Sequence, residues 1–282
     1  DQKTIFSLCP TALHKARLLE ELDESLIEKV LENENSKTIS NIFRYLDTND
    51  QATIISMFSE DKQNEVFKTI EVNDKEEVEE IMSYPDDSAG SIMTKETFTL
   101  NQNTSVKDSI KKLQSFPEND KIFYLYVLDT KQKLVGVVSL RTLVTSKNSK
   151  KLKDIMIKDI QAASTDTDQE EVAKKVAQYN YLALPVVNRQ NKFLGIVTID
   201  DVVDIIREEA SEDFLQMAGV GKDREILLKS PFENAQSRAP WILASLIGGI
   251  CAAAIISYFN NLLEQIIVLA AFIPVIIGIG GN

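Results

Sequence analysis

Residues 184–201 read LPVVNRQNKFLGIVTIDD. Two runs of apolar, mostly β-branched residues flank a short polar turn, and acidic residues follow the second run, which predicts a β-hairpin that leads into a helix. A matching stretch is offset by 59 residues, where residues 126–142 read YVLDTKQKLVGVVSLRT. Because Gly136 and Gly195 hold the same place in the two stretches, the chain carries an internal duplication.

The duplication also covers the start of each copy. Ile92-Met93 matches Ile155-Met156, and the offset falls from 63 to 59 residues because residues 116–121 are extra in the first copy. Each copy has the pattern of a strand, an amphipathic helix, two β-rich strands and a final helix. Two such units normally pack face to face, so the pattern predicts one α/β module formed by residues 89–150 and 151–210.

This module resembles a pair of CBS domains. The second copy contains Gly-apolar-apolar-Thr-x-x-Asp in residues 195–201, and in that family the Thr and Asp often hold the ribose of an adenosine ligand. The first copy lacks the Asp, so a symmetric pair of nucleotide sites is not expected. Four residues are candidate ligands of ATP or another adenosine nucleotide: Tyr124, Arg141, Tyr181 and Thr198. Arg141 would face the phosphates as a forked donor, and strand and turn packing is the alternative role of all four.

Residues 1–88 are helix-rich by pattern and show no strand-like alternation. An apolar residue followed by a polar one recurs at intervals of 12 residues or a multiple of 12: Leu22-Asp23, Leu46-Asp47, Phe58-Ser59, Ile70-Glu71 and Met82-Ser83. The repeat fails near Glu34. A period of this length is one short helix plus a turn, which predicts an all-α domain of helices stacked in a superhelix.

The C-terminal part of the chain, residues 238–282, is predicted to be an α-helical transmembrane hairpin. Residues 241–259 read WILASLIGGICAAAIISYF, which is long and apolar enough to span a bilayer, and a second apolar run covers residues 266–279 and contains Pro274. Basic residues precede the first run and no signal peptide opens the chain, so the N-terminal domains are expected in the cytoplasm. A buried hairpin of a soluble protein is the alternative. Because Gly280-Gly281-Asn282 follows the second run directly, we expect the membrane domain to be truncated here.

The composition excludes several classes of protein. The chain has 31 Lys and Arg against 43 Asp and Glu, a net charge of −12, which argues against a nucleic-acid partner. His14 is the only histidine, and Cys9 and Cys251 are far apart. An imidazole-based zinc site, a disulfide framework and a Ser-His or Cys-His mechanism are therefore not expected, and the chain is not predicted to be an enzyme.

Acidic residues gather in two segments, residues 71–87 and 200–225. In the second segment, Asp201, Asp204, Glu208 and Glu212 are spaced i, i+3, i+7 and i+11, which places them on one side of a helix. A solvated helix face is the common explanation of such a stripe. If the two segments face each other they repel unless a cation bridges them, and carboxylate oxygens without His or Cys suit Mg²⁺ or Ca²⁺.

The order of these parts resembles the MgtE family of magnesium transporters. The stretches that carry the resemblance are YPDDSAG followed by IMT at residues 84–94, DTDQEEVA at 166–173, LPVV at 184–187, residues 198–204, and the run from FIP to GGN at 272–282. The resemblance implies a homodimeric, channel-like Mg²⁺ transporter that passes several times through a bacterial inner membrane. It also implies that residues 211–237 form a connecting helix between the CBS pair and the pore. No other protein partner is implied.

The resemblance further implies which acids sense intracellular Mg²⁺: Asp87, Asp168, Glu170, Asp201, Asp204, Glu209, Glu212 and Asp213. Bound Mg²⁺ would bridge the acidic surfaces and close the pore, and loss of Mg²⁺ would let the domains separate. The sequence departs from the family at Asn180, where an acid is common, so one site is expected to be weaker or absent. The N-terminal domain also looks short, as if truncated.

Two other functions remain open. The CBS pair could be an adenosine-nucleotide sensor that regulates a different membrane protein, which requires ligand binding near Thr198 and Arg141. Alternatively, the chain could be a scaffold tethered to the membrane, in which the acids serve only solubility. The scaffold hypothesis predicts no specific small ligand.

Overall fold

A computed structural model describes residues 2–22, 24–32, 34–116, 122–217, 231–259 and 272. The chain divides into two compact units, Asp1–Glu209 and Ala210–Asn282. The first unit holds a helical part and an α/β part that share one hydrophobic core. The second unit contains a single long helix among its described residues, apart from the end of a helix that begins in the first unit.

The described residues of the helical part form seven short helices: α1 Gln2–Leu8, α2 Ala12–Glu20, α3 Glu24–Leu31, α4 Ser36–Phe43, α5 Thr48–Ser56, α6 Glu60–Phe67 and α7 Val72–Met82. Helices α2 to α7 begin at every twelfth residue, so the predicted period is confirmed, and it continues through Glu34 where the sequence pattern appeared to fail. The residue before the helix is a polar N-cap in several repeats, for example Asn35, whose side chain accepts a hydrogen bond from the Thr38 amide at 2.8 Å. Each helix packs against the next but one: α2 on α4, α3 on α5, α4 on α6 and α5 on α7.

The α/β part contains two sheets of three strands with the same topology. Its first copy comprises β1 Thr99–Asn101, α8 Val106–Gln114, β2 Tyr124–Leu128, β3 Leu134–Ser139 and α9 Leu140–Thr145. Its second copy comprises β4 Ala163–Ser164, α10 Gln169–Tyr179, β5 Ala183–Val187, β6 Phe193–Thr198 and α11 Ile199–Met217. In each copy the first strand is parallel and the third antiparallel to the middle one. The duplication read from the sequence is therefore confirmed down to the strand order.

The two copies exchange their opening segments. Thr94, which follows Ile92-Met93 of the first copy, forms a β-bridge with Ile196 of the second, and Ile157 forms one with Val137 of the first. A side chain at Gly195 would lie 2.5 Å from the Thr94 carbonyl oxygen, so only glycine lets the opening segment approach so closely. The presence of glycine at this position of both copies thus reflects how closely their opening segments pack.

The helical part contacts the second copy and the opening segment of the first, where the Thr48 hydroxyl donates to the Glu96 Oε1 at 2.7 Å. The amides of Ala89 and Gly90 donate to the carbonyl oxygens of Thr167 and Thr165 at 2.7 and 3.0 Å. The hydrophobic core of the helices continues into this copy, where Val172, Val186 and Val202 are fully buried. Residues of the helical part and of the second copy therefore share one buried interface.

In the second unit, α12 spans Pro231–Tyr258 and contains Pro240. Its apolar side chains are exposed, including Ile242, Leu246 and Ile250. Among the described residues, none of the helices combines the length and the apolar character that crossing a membrane requires. The transmembrane hairpin is therefore not confirmed, and its second run lies outside the described residues apart from Phe272. The predicted boundary between residues 210 and 211 falls inside α11, and residues 218–230 of the connecting segment also lie outside the described residues.

Candidate cation site

An acidic cleft of about 520 Å³ lies where the helical part meets the second CBS copy. Its walls come from α2, α3, α5 and α7, from residues 84–92, and from the start of α10 and α11. Seven carboxylates line it: Glu20, Asp50, Asp86, Asp87, Asp201, Asp204 and Glu208. No Lys, Arg or His belongs to the described lining, so the side chains that line the cleft carry an excess of negative charge.

Asp201 is held in place from both sides of the cleft. The hydroxyl and the amide of Thr198, at the end of β6, donate to its Oδ2 at 2.6 and 3.2 Å and thereby cap the first turn of α11. From the helical part, the Nδ2 of Asn49 on α5 donates to its Oδ1 at 3.1 Å. These bonds orient the carboxylate and connect two segments that are 152 residues apart in sequence.

Asn49 also presents an oxygen without a partner. The residue is 7% exposed, and its Oδ1 has no hydrogen-bond partner among the described residues. A buried amide oxygen left unpaired is costly, and a cation or a water molecule that reached it would relieve that cost. A neutral amide oxygen beside several carboxylates is a ligand set that suits a hard cation such as Mg²⁺ or Ca²⁺.

Asp204 lies one turn after Asp201 and also lines the cleft. Burial raises the pKa of its carboxyl group, the nearby Arg207 guanidinium lowers it, and Glu208, Glu21 and Asp200 raise it further. The Arg207 Nη1 is 3.4 Å from the Asp204 Oδ1, but this pair is exposed, so its contribution is small. The net upward shift of the pKa means that burial and the neighbouring acids disfavour the charged form of Asp204, and a cation in the cleft would favour it.

The linker residues Asp86 and Asp87 complete one wall. Asp87 has a left-handed backbone (φ 56°), and its carbonyl oxygen accepts a bond from the Gln169 amide at 2.8 Å. Tyr84 lies beside them, and its hydroxyl donates to the Glu80 Oε1 at 2.9 Å. Burial, this hydrogen bond and the charges of Glu80 and Asp166 raise the pKa of Tyr84 to about 12, so the phenol stays neutral in the cleft.

The structure separates the predicted acids into three groups. Asp87, Asp201 and Asp204 line the cleft together. Asp168 instead caps α10 by accepting a bond from the Glu170 amide at 2.8 Å, and Glu170 pairs with Lys174 at 2.9 Å, so neither belongs to the described cleft lining. Glu209 is adjacent to the cleft, because its Oε1 accepts a bond from the lining residue Gln169 at 2.7 Å.

Glu212 and Asp213 lie within α11, but their side chains fall outside the described residues. Within the part of the chain that the structure describes, no three His, Cys, Asp or Glu side chains converge closely enough to hold a metal ion. The carboxylates therefore surround the cleft without meeting at one point. A hydrated cation, or closure of the walls, would be needed to bridge them.

Several residues of this cleft were not predicted from the sequence. Glu20, Asp50 and Asn49 come from helices far away in sequence and carry no motif that marks them. Asp86 stands beside the predicted Asp87, and Glu208 belongs to the predicted helical stripe, so both had a signal in the sequence. Only the packing of α2 and α5 against the second CBS copy identifies the others.

The four candidate nucleotide ligands are spread over different elements of the CBS pair. Tyr124 lies on β2 and Arg141 is exposed on α9. The ring of Tyr181 stacks on that of Tyr179 with centroids 5.6 Å apart. Thr198 is 2% exposed, and its hydroxyl donates to Asp201, so binding a ribose would require this bond to be exchanged.

Comparison with known proteins gives consistent matches over the described fold. The family model of the MgtE intracellular N domain matches residues 1–87, and that of the CBS domain matches residues 89–148 and 152–208. The chain is similar to a protein named magnesium transporter MgtE from Bacillus subtilis (strain 168), with 35% identity over 295 residues, all of this chain and 65% of that protein. It is 36% identical over 207 residues to the protein of the same name from Enterococcus faecalis, which covers 73% of this chain and 45% of that protein. The chain thus spans about two thirds or less of these relatives.

A solved structure also resembles the chain. It is the crystal structure of the cytosolic domain of the Mg²⁺ channel MgtE in complex with ATP, with a TM-score of 0.68 and 30% sequence identity. The superposition covers 72% of this chain and 83% of that domain. The similarity therefore includes the arrangement of the elements as well as the sequence.

Proposed function

The chain belongs to the MgtE family of magnesium transporters, and we propose that its acidic cleft binds Mg²⁺ and thereby controls a Mg²⁺-conducting pore. The observation that carries this proposal is the cleft itself, in which seven carboxylates and the unpaired Asn49 oxygen surround about 520 Å³ without a described basic lining residue. Oxygen-only ligands of this kind favour Mg²⁺ over softer metals.

The cleft responds to a cation through electrostatics. Without a cation, its carboxylates repel one another, and the Asn49–Asp201 bond is one of the contacts that oppose separation of the walls. A bound cation removes the repulsion and favours the closed arrangement. A ligand shifts such an equilibrium only through its different affinity for the two states, and a change from 1:99 to 99:1 requires about 5.5 kcal/mol. Several hydrated cation sites in one cleft together supply this difference in binding free energy more easily than a single site does.

The helix α11 links the cleft to the rest of the chain. Asp201 and Asp204 occupy its first turns and line the cleft, and the same helix continues to Met217. When the helical part moves relative to the start of α11, the motion is therefore transmitted along one continuous helix that leads towards the C-terminal segment. Through this helix, and through Glu209, Glu212 and Asp213 along it, the cleft would report intracellular Mg²⁺ to the pore and close it by negative feedback.

The proposed transport activity is supported by the relatives, which are named as magnesium transporters. We extend to this chain a homodimer in a bacterial inner membrane, with residues 1–209 in the cytoplasm and residues 238–282 forming the first helices of a multi-pass membrane domain. The charge-free run of residues 241–259 supports this assignment. The chain acts in this proposal as a transporter rather than as an enzyme.

The proposal is tested by limited proteolysis of the full chain in EDTA and across a Mg²⁺ titration, with NaCl at matched ionic strength to remove general screening. Mg²⁺ should protect the linker at residues 84–90 beyond the NaCl control. The double variant Asp87→Asn/Asp204→Asn should require at least about a tenfold higher Mg²⁺ concentration for the same protection of residues 84–90. The control Glu60→Gln/Asp61→Asn removes the same charge from α6, away from the cleft lining, and should respond as the unmodified chain does. Equal cleavage in EDTA and Mg²⁺ would exclude the cation site.

A second candidate function is adenosine-nucleotide binding by the CBS pair. It is favoured by one observation, the likeness to a cytosolic domain that was crystallised in complex with ATP. Tyr124, Arg141, Tyr181 and Thr198 are the proposed ligands. Calorimetric titration of the full chain with ATP tests this function, and Arg141→Ala should weaken binding strongly if its guanidinium contacts the phosphates. No heat of binding in the unmodified chain would dismiss it.

A further inference from the structure

The first CBS copy carries a charge opposite to that of the rest of the chain. Residues 89–150 contain ten Lys and Arg against five Asp and Glu, a net charge of +5, although the whole chain has a net charge of −12. The acids that line the cleft come from other parts of the chain. Such a separation of charge marks the first copy as a surface suited to an anionic partner.

Six lysines come from α8 and from residues 147–153 beside its start, and together we call them the lysine patch: Lys107, Lys111, Lys147, Lys150, Lys151 and Lys153. The amides of Val106 and Lys107 donate to the carbonyl oxygens of Lys150 and Asn148 at 2.9 and 3.2 Å. These bonds fasten residues 147–153 to the start of α8, and Lys111 follows Lys107 by one helical turn. All six side chains belong to exposed residues.

The ammonium groups of the lysine patch have no ion-pair partner within 4 Å among the described residues. Elsewhere in the chain, Lys174 pairs with Glu170 and Lys95 with Glu80, each at 2.9 Å. Two acids lie beside the patch: Asp108 accepts from the Ser105 hydroxyl at 2.6 Å, and Asp154 accepts from the Lys151 amide at 3.1 Å. Six lysines against these two carboxylates leave the patch with an excess of positive charge.

The composition of the patch indicates what kind of anion it fits. It contains lysines and no arginine, so it offers separate hydrated point charges rather than forks for single phosphates. It also lacks the aromatic side chains on which nucleic-acid bases stack. Clusters of four to eight basic residues near a membrane are typical of surfaces that bind anionic lipid. We propose that the lysine patch binds the headgroups of an anionic lipid bilayer, which rests on the proposed membrane function of the chain.

The size of the effect follows from the charge of each side chain. Each lysine near an anionic bilayer strengthens binding about fivefold, and the attraction weakens as salt shortens the Debye length. Contact with lipid would also shield the ammonium groups from reagents in solution. The rate at which an amine-reactive reagent labels individual lysines, followed by mass spectrometry, therefore reports the contact residue by residue.

The test uses the full chain in nanodiscs made of phosphatidylcholine alone or with one quarter phosphatidylglycerol. In anionic discs the patch lysines should be labelled at least about threefold more slowly than in neutral discs, and 0.5 M NaCl should abolish the difference. Lys37 and Lys68, exposed lysines of the helical part, should be labelled equally in both. In Lys111→Glu/Lys150→Glu the protection of Lys107 and Lys147 should disappear, whereas the matched variant Lys37→Glu/Lys68→Glu should retain it.

Equal labelling of the patch in both kinds of disc overturns the proposal. Protection that is already complete in detergent and in neutral discs also overturns it, because the patch would then contact an acidic surface of a second copy. A chain that enters neither kind of disc counts against the proposed membrane function. For such a chain, added anionic vesicles still test whether the patch binds lipid. Unchanged labelling of the patch lysines would then reject lipid binding independently of the membrane function.

Discussion

The side-chain amide of Asn49 donates a hydrogen bond of 3.1 Å to the Asp201 carboxylate, and this bond joins α5 of the helical part to α11 of the second CBS copy. Asp201 is at the same time the capping partner of Thr198. One carboxylate thus belongs to the local start of a helix, to the contact between two parts of the chain and to the acidic cleft. A cation bound at Asp201 would therefore affect the first turn of α11, the contact between the two parts of the chain and the charge of the cleft.

Replacing Asn49 by Asp should make the packing of the two parts depend on Mg²⁺. The substitution removes the donor to Asp201 and sets a buried carboxylate beside another, so the free energy of unfolding in EDTA should fall by about 2 kcal/mol. Mg²⁺ should restore most of this loss. Urea unfolding of the full chain with and without Mg²⁺ measures both values. Asn64→Asp, on the exposed face of α6, should change neither, and a loss that Mg²⁺ does not reverse would argue against a cation next to Asn49.

The raised pKa of Asp204 predicts a pH dependence of the cation-free state. Because the folded chain holds this proton more tightly than the unfolded chain, Asp204 favours folding more as the pH falls from neutral through its raised pKa towards the ordinary value of 3.8. That contribution is lost as the pH rises. In EDTA, Asp204→Asn should therefore flatten the pH dependence of stability above the ordinary pKa. Urea midpoints compared between variant and unmodified chain check this, and identical slopes would contradict it.

Thr198→Val should act mainly on stability. It removes the 2.6 Å hydroxyl bond to Asp201 at a residue that is 2% exposed, which leaves one oxygen of a part-buried carboxylate with fewer partners. We expect a loss of about 1.5–3 kcal/mol, as for other hydrogen bonds to a charged group. Thermal unfolding measures it, and Thr198→Ser, which keeps the hydroxyl, should lose much less. A variant with unchanged stability but weaker ATP binding would instead assign Thr198 to the nucleotide.

Gly195→Ala tests the exchange of opening segments between the CBS copies. The added Cβ would lie 2.5 Å from the Thr94 carbonyl oxygen, a backbone atom that cannot move away freely. Overpacking of this kind costs about 1–3 kcal/mol. Denaturant unfolding should show the loss, whereas Gly248→Ala, where no atom lies within 4 Å of the new Cβ, should leave the first unit unaffected. An unaffected Gly195→Ala variant would mean that the segments are not interlocked.

Much of the fold could be predicted because its signals are local. The 12-residue period sets where helices α2 to α7 begin, and the duplicated hairpins, with Gly136 and Gly195 at matching positions, predicted both sheets. Buried apolar side chains recur at the period of the helix or strand that carries them, within a few residues of one another. The sequence alone therefore reveals these elements. The acidic stripe on α11 was visible for the same reason.

The cleft is different, because its residues meet only after the helical part packs on the second CBS copy. Asn49 and Asp201 are 152 positions apart and each has an ordinary local role, one within a helix and one near a helix start. Asp168 and Glu170 show the converse, since the family resemblance implied cation ligands, whereas here Asp168 caps α10 and Glu170 pairs with Lys174. Local periodicity therefore determines the elements of this protein, whereas the membership of its site depends on long-range packing that brings distant charges together.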